Sequence, residues 1–202
     1  MELGAFLNPS LLDVLYFSEH WLIKKQKLWN LNSINRLITL VTCNYGGTCI
    51  FVWDDLYIKE VKCRKDLCSE KEFEMSAVEL VEFKCILICM YRFPHSDMYR
   101  FLDKLETQIG KIQSKRKKLL LCGDWNINFV KDSVQLQAFH SVLSYNITNT
   151  VILPTRVTKN AIFQVDVMII NKQYSNNSIE VVNLRYSDHF AQILIFFGEQ
   201  AE

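Results

Sequence analysis

Leu119-Leu120-Leu121-Cys122-Gly123-Asp124-Trp125-Asn126-Ile127-Asn128 is the stretch whose reading decides the fold. Its apolar run reads as the end of a buried strand. Lys115-Arg116-Lys117-Lys118 precedes it, so the strand starts in solvent and enters a core. Gly123 marks a bend or a close backbone approach. If the chain stays extended beyond Gly123, then Asp124, Asn126 and Asn128 point to one face. Two readings stand at this point. One is a polar turn, because Gly, Asp and Asn are ordinary turn residues. The other is a metal or phosphate site at a strand tip, where a carboxylate beside amide oxygens suits a hard cation.

A chain of 202 residues, half of them hydrophobic and 12% aromatic, is sized for one domain and is not disordered by composition. Its net charge of +1 means that nucleic-acid binding would rest on local basic patches. No apolar run reaches the length of a membrane span, and no signal peptide is apparent at the start. Cys43, Cys49, Cys63, Cys68, Cys85, Cys89 and Cys122 form no Cys-x-x-Cys pair and have no zinc-finger spacing. Reduced thiols in an intracellular protein are expected.

Working outward, residues 84–91 are nearly all apolar and predict a second buried strand, ended by Pro94. Between the two, a helix is expected from Ser96, with Tyr99, Phe101, Leu102, Leu105, Ile109 and Ile112 on one face. Strands are expected over 13–19, 37–43, 48–53, 163–170, 179–184 and 190–197, and Gly46-Gly47 predicts a hairpin turn between the second and third of these. Asp132 or Ser133 caps a second helix. Residues 54–74 read as the most loop-like part. Strands and helices mixed in this order predict an α+β or two-sheet α/β sandwich.

Polar groups recur at the ends of these strands: Glu19, Tyr91, Asp124, Asn126, Asp166, Asp188 and His189. Each alone has a bland reading, such as an edge-strand acid or a packed histidine. An acid at a strand tip four times over, with Asn and His beside two of them, is the informative pattern. Asp166 within an apolar strand requires a partner or a solvated face.

Ser18-Glu19-His20-Trp21-Leu22, Gly46-Gly47-Thr48-Cys49, Tyr91-Arg92-Phe93-Pro94, Gly123-Asp124-Trp125-Asn126, Pro154-Thr155-Arg156, Val165-Asp166 and Ser187-Asp188-His189 follow one another in this order. Together they resemble the endonuclease/exonuclease/phosphatase superfamily, most of all the apurinic-type endonuclease domain of non-LTR retrotransposons. The resemblance implies a deoxyribonuclease I-like two-sheet sandwich with the site at one end. It implies that Glu19 and Asp188 hold Mg²⁺ or Mn²⁺. Asp124 would activate the attacking water, Asn126 and Tyr91 would position the phosphate, and Asp166 would hold His189. Arg92, Arg156, Lys24 and Lys25 are candidate DNA contacts. Phosphodiester hydrolysis needs an activated water and stabilised phosphoryl charge, and these residue types supply both.

One departure from the superfamily's pattern is a first strand carrying an Asn, expected to be absent because Glu19 stands so early in the chain. A single domain incomplete at its N-terminus is therefore expected, with weakened activity. The implied function is a DNA-nicking endonuclease partnered with a reverse transcriptase domain in a parent element and acting in the nucleus. A domesticated binding module and a small-molecule or lipid phosphatase are the alternatives. The oligomeric state is not legible in the sequence.

Overall fold

The computed structural model describes residues 13–18, 36–40, 47–53, 55–61, 68, 72–113, 117–142, 147–149, 151, 153–171, 177–183 and 187–196. Its elements, in chain order, are β1 (Val14–Ser18), β2 (Arg36–Leu40), β3 (Thr48–Val52), β4 (Ile58–Glu60), β5 (Phe73–Leu80), β6 (Cys85–Arg92), α1 (Met98–Gln113), β7 (Lys118–Asp124), α2 (Val134–Val142), β8 (Ile147–Asn149), β9 (Arg156–Val157), β10 (Ile162–Phe163), β11 (Asp166–Asn171), β12 (Asn177–Val182) and β13 (Ala191–Phe196). A six-stranded sheet, ordered β4-β5-β6-β7-β11-β8, runs through the middle. Strands β6 and β7 pair in parallel, so the chain must cross over between them, and α1 is that crossover.

Two-residue periodicity divides this sheet between two cores. Met75 and Ala77 of β5, Ile86, Ile88 and Met90 of β6, Leu119 and Leu121 of β7, and Val167 and Ile169 of β11 face α1 and α2. The alternate residues, among them Val78, Leu87, Cys89, Cys122 and Met168, face the other way. There they meet Ile50 and Val52 of the β1-β3-β2 sheet, and the hairpin residues Ile179, Val181 and Leu194 pack on the same cluster. The expected mixed α/β sandwich is what forms, with its second layer in two pieces among the described residues. The expected loss of a first strand concerns chain before Asp13, outside the described residues.

Helix α1 turns Phe101, Leu102, Leu105, Ile109 and Ile112 into the core, as its spacing predicts. Tyr99 lies off that stripe and is exposed. Its N-cap is Asp97, whose Oδ1 accepts the Arg100 N–H at 3.0 Å; the Ser96 hydroxyl instead donates to the Phe93 carbonyl and closes the turn before the helix. In α2 the cap is Ser133, which accepts from the Leu136 N–H. Residues 54–74, expected to be a loop, supply the short edge strand β4 and the first residues of β5. A three-residue strand carrying Lys59 and Glu60 has too little apolar pattern to be read from sequence, as is usual for an exposed edge.

Gly123 fixes how β7 ends. Its φ is +124°, and a Cβ built there would lie 1.9 Å from the Met90 carbonyl oxygen on the paired strand. Only glycine fits that approach. Gly123→Ala is expected to lower stability by about 2–4 kcal/mol, read as a fall in the urea midpoint. An unchanged midpoint would show that β6 and β7 can separate at this rung without loss.

Candidate active site

Register brings the acids together. Asp124 ends β7, and in the antiparallel β11–β7 ladder it lies opposite Asp166, the first residue of β11. Tyr91 stands beside Asp124 across the parallel ladder. At the end of β1, the Ser18 hydroxyl accepts the Asp124 N–H at 3.3 Å, so β1 converges on the same place. Glu19, which follows Ser18, lies outside the described residues, as do Lys24 and Lys25.

Asp124 is buried and bonded to the loop that follows it. The Asn126 N–H donates to its Oδ1 at 2.9 Å, and Asn126 Nδ2 donates to its Oδ2 at 3.2 Å. Asn126 Nδ2 also donates to the Arg92 carbonyl at 2.8 Å, tying the loop to the end of β6. Asn126 has φ +50°, so of the two paths open in the sequence the chain takes the turn and does not stay extended. Asn128 consequently leaves the site: its Oδ1 accepts the N–H groups of Val130 and Gln164. Between Asp124 and Asn126, Trp125 is fully buried and packs edge-on to Phe101 and Phe139, which pegs the loop to the helical core.

Asp166 Oδ2 lies 2.9 Å from His189 Nδ1. Burial by itself lowers the imidazole pKa, but the Asp166 hydrogen bond and the charges of Asp166 and Asp124 more than offset this, and His189 is held above its ordinary 6.5. The buried carboxylate therefore has the partner that its place in an apolar strand required. Asp124, Asp166 and His189 each offer a ligand atom, all within 4.8 Å of one another. Two carboxylate oxygens and an imidazole nitrogen suit a divalent cation.

Asp188, the expected second metal ligand, stands outside this group: its Oδ2 accepts the Arg156 Nε–H at 2.7 Å. Burial raises the Asp188 pKa, but the Arg156 hydrogen bond and the charges of Arg156 and His189 together more than offset this, for a net fall. Arg92, expected at the DNA surface, is buried. Its guanidinium donates to the Phe93 and Pro94 carbonyls and lies 5.8 Å from the Phe101 ring, so it serves the turn before α1. An apolar strand ending in Tyr-Arg hides this, because a long cation at a strand end ordinarily reaches for water. Ser18 and Thr155 belong to quoted motifs but carried no separate expectation. No cysteine among the described residues forms a disulfide, and burial pushes the Cys89 thiol well up, which makes it unreactive. No helix among the described residues is long and apolar enough to cross a membrane.

No family model matches the chain, and no curated protein matches its sequence. Solved structures do match. The endonuclease domain of TRAS1, a telomere-specific non-LTR retrotransposon, aligns with TM-score 0.67 at 17% identity over 81% of this chain and 78% of that one. The 3′ phosphatase NExo from Neisseria, bound to a product DNA hairpin, aligns with TM-score 0.71 at 16% identity over 92% and 89%. An AP endonuclease from Archaeoglobus fulgidus aligns with TM-score 0.71 at 12% identity over 96% and 92%. The fold is therefore that of endonuclease/exonuclease/phosphatase proteins, as the motifs implied, and the neighbours named here are two endonucleases and a 3′ phosphatase.

The raised His189 pKa fixes the sign of a pH effect. Its contribution to stability is present in full below about pH 6.5 and is lost as pH rises through the higher folded-state value. Denaturation midpoints of the wild type and His189→Ala, measured in chelator, should differ most at about pH 6 and converge at alkaline pH. A gap that widens with pH contradicts this assignment.

Proposed function

We propose that this chain is a divalent-cation-dependent phosphodiester hydrolase that nicks DNA, of the type carried by non-LTR retrotransposons. The observation that carries the reading is the meeting of Asp124–Asn126 and Asp166–His189 at the ends of paired strands, in a fold shared with DNA-processing enzymes. In the parent element such a nick would provide a primer for a reverse transcriptase domain, acting in the nucleus.

The chemistry follows from the side chains. Water attacks phosphorus, the P–O3′ bond breaks, the leaving 3′ oxygen takes a proton from solvent, and the products are a 5′ phosphate and a 3′ hydroxyl. Asp124 takes the water's proton, and the two Asn126 hydrogen bonds hold its carboxylate in place. Asp166 keeps His189 oriented through Nδ1, so that Nε2 carries a proton toward a phosphoryl oxygen. Tyr91 supports the phosphate from the neighbouring strand. A divalent cation, when bound, neutralises the charge on the phosphoryl oxygens. Asp124 and Asp166 offer it oxygens, Glu19 is the further ligand that the motif resemblance implies, and Asp188 joins only if it leaves Arg156. Arg156, half-exposed beside the site, is the DNA contact retained from the sequence reading; Arg92 is not.

Likeness to a 3′ phosphatase favours a second substrate for the same residues, a phosphate at a DNA 3′ end. Supercoiled plasmid separates the two. With Mg²⁺, and not with EDTA, the chain should convert it to relaxed circles, and rising salt should slow the conversion as counterion release weakens binding. Asp124→Ala and His189→Ala should each lower the rate by about 10²–10⁴ while circular dichroism stays unchanged. Release of phosphate from 3′-phosphorylated DNA without any nicking would establish the second reading, and activity equal in Mg²⁺ and EDTA would overturn both.

A further inference from the structure

Thr155 is completely buried. Its Oγ1 accepts two consecutive backbone N–H groups, from Val165 at 3.1 Å and Asp166 at 3.0 Å. Those amides stand where the expected continuous strand over 163–170 breaks, between β10 and β11. The ladder bond is replaced there by a side-chain acceptor, and the carbonyls of the break are also used: Gln164 accepts from Phe129 and Val165 from Trp125. The start of β11, and with it Asp166, is thus set by Thr155.

The same short segment grips the histidine from the other side. The Phe190 N–H donates to the Thr155 carbonyl, and the Val157 N–H donates to the Asp188 carbonyl at 3.4 Å. Arg156 bridges to His189 through the backbone, and its Nε–H holds the Asp188 carboxylate. Residues 155–157 are therefore bonded both to the Asp166 backbone and to the residues that flank His189. Asp166 and His189 are 23 positions apart, and His189 lies outside the named strands, just before β13, so no strand ladder fixes their distance.

We propose that Thr155 and Arg156 are positioning residues: a clamp that sets the Asp166–His189 geometry, Thr155 by placing the start of β11 and Arg156 by holding the turn at residues 187–189. Its effect on nicking rests on the function proposed above; its effect on the pair does not. Arg156 in this role explains why Asp188 is turned to a cation of the chain itself.

The test reads the pair directly. In the wild type, the ring proton shared by His189 Nδ1 and Asp166 should give a resolved downfield proton resonance. Thr155→Val keeps the shape and removes the acceptor. It should abolish or broaden that resonance, speed amide exchange at Val165 and Asp166 at least tenfold, and leave exchange at Leu121 unchanged. Thr155→Ser, which restores the acceptor, should restore both. Nicking should follow, with kcat down about 100-fold for Thr155→Val, KM for DNA within threefold, and recovery in the serine variant. An unchanged resonance and unchanged exchange in Thr155→Val, or a serine variant as impaired as the valine one, overturns the clamp. If Thr155→Val does not fold, Arg156→Gln carries the test at a half-exposed position: the resonance must shift and the Val157 amide must exchange faster, and no change overturns the proposal. A wild type that shows the resonance and its Thr155 dependence yet cuts no DNA would refute the nuclease reading and leave the clamp standing.

Discussion

Two carboxylates placed opposite each other on neighbouring strands are the constraint on which the rest of this structure depends. Asp124 and Asp166 are a cross-strand pair. Like charges so placed repel, and both residues are buried, where repulsion is least screened. Each is therefore supported separately. Asp124 receives two hydrogen bonds from Asn126, and Asp166 receives His189. The left-handed turn at Asn126, the glycine before Asp124 and the break before β11 all serve to deliver those partners. A sheet optimised for stability alone would place valines at this rung. The strand ends instead keep a pair of acids whose charge calls for a cation or a phosphate-bound metal.

The parts of the fold that repeat were legible in the sequence. Residues 85–91 and 119–122 are apolar runs bounded by charged or turn residues, the pattern of a buried strand. The stripe of α1 was equally plain. Asp166 was legible as an acid that needs a partner or a solvated face, and the motif resemblance implied His189 as that partner. What escaped was set by tertiary contacts. Strand β4 is too short to show a period. Asn126 turns left-handed because its own side chain closes on Asp124, while Ile127 beyond it is buried and draws the chain inward. Arg92 is buried because α1 begins where two carbonyls and the Phe101 face receive its guanidinium. No local pattern encodes the direction in which a strand-end arginine turns.

Sequence identities of 17, 16 and 12% to structures that share this architecture show how little of the chain the fold needs to specify by residue type. The two cores accept many apolar combinations, provided that alternate positions along β5, β6, β7 and β11 stay apolar. The rungs at the strand ends are less free. A residue at Gly123 meets a carbonyl, and one at Thr155 must accept two amides.

The bond between Ser18 and Asp124 spans 106 positions of chain, and the pair of Asp166 and His189 closes a further loop beyond it. Contacts this distant in sequence form late in folding, because the intervening chain must first be ordered. During synthesis, the strand that carries Ser18 leaves the ribosome long before Asp124 exists, and His189 arrives last of the three. A partly made chain therefore holds none of the site in working geometry. Local opening of β1 or of the β12–β13 hairpin would likewise undo it while the central sheet stayed intact. The assembled site is thus a property of the finished fold, completed late and lost before global unfolding.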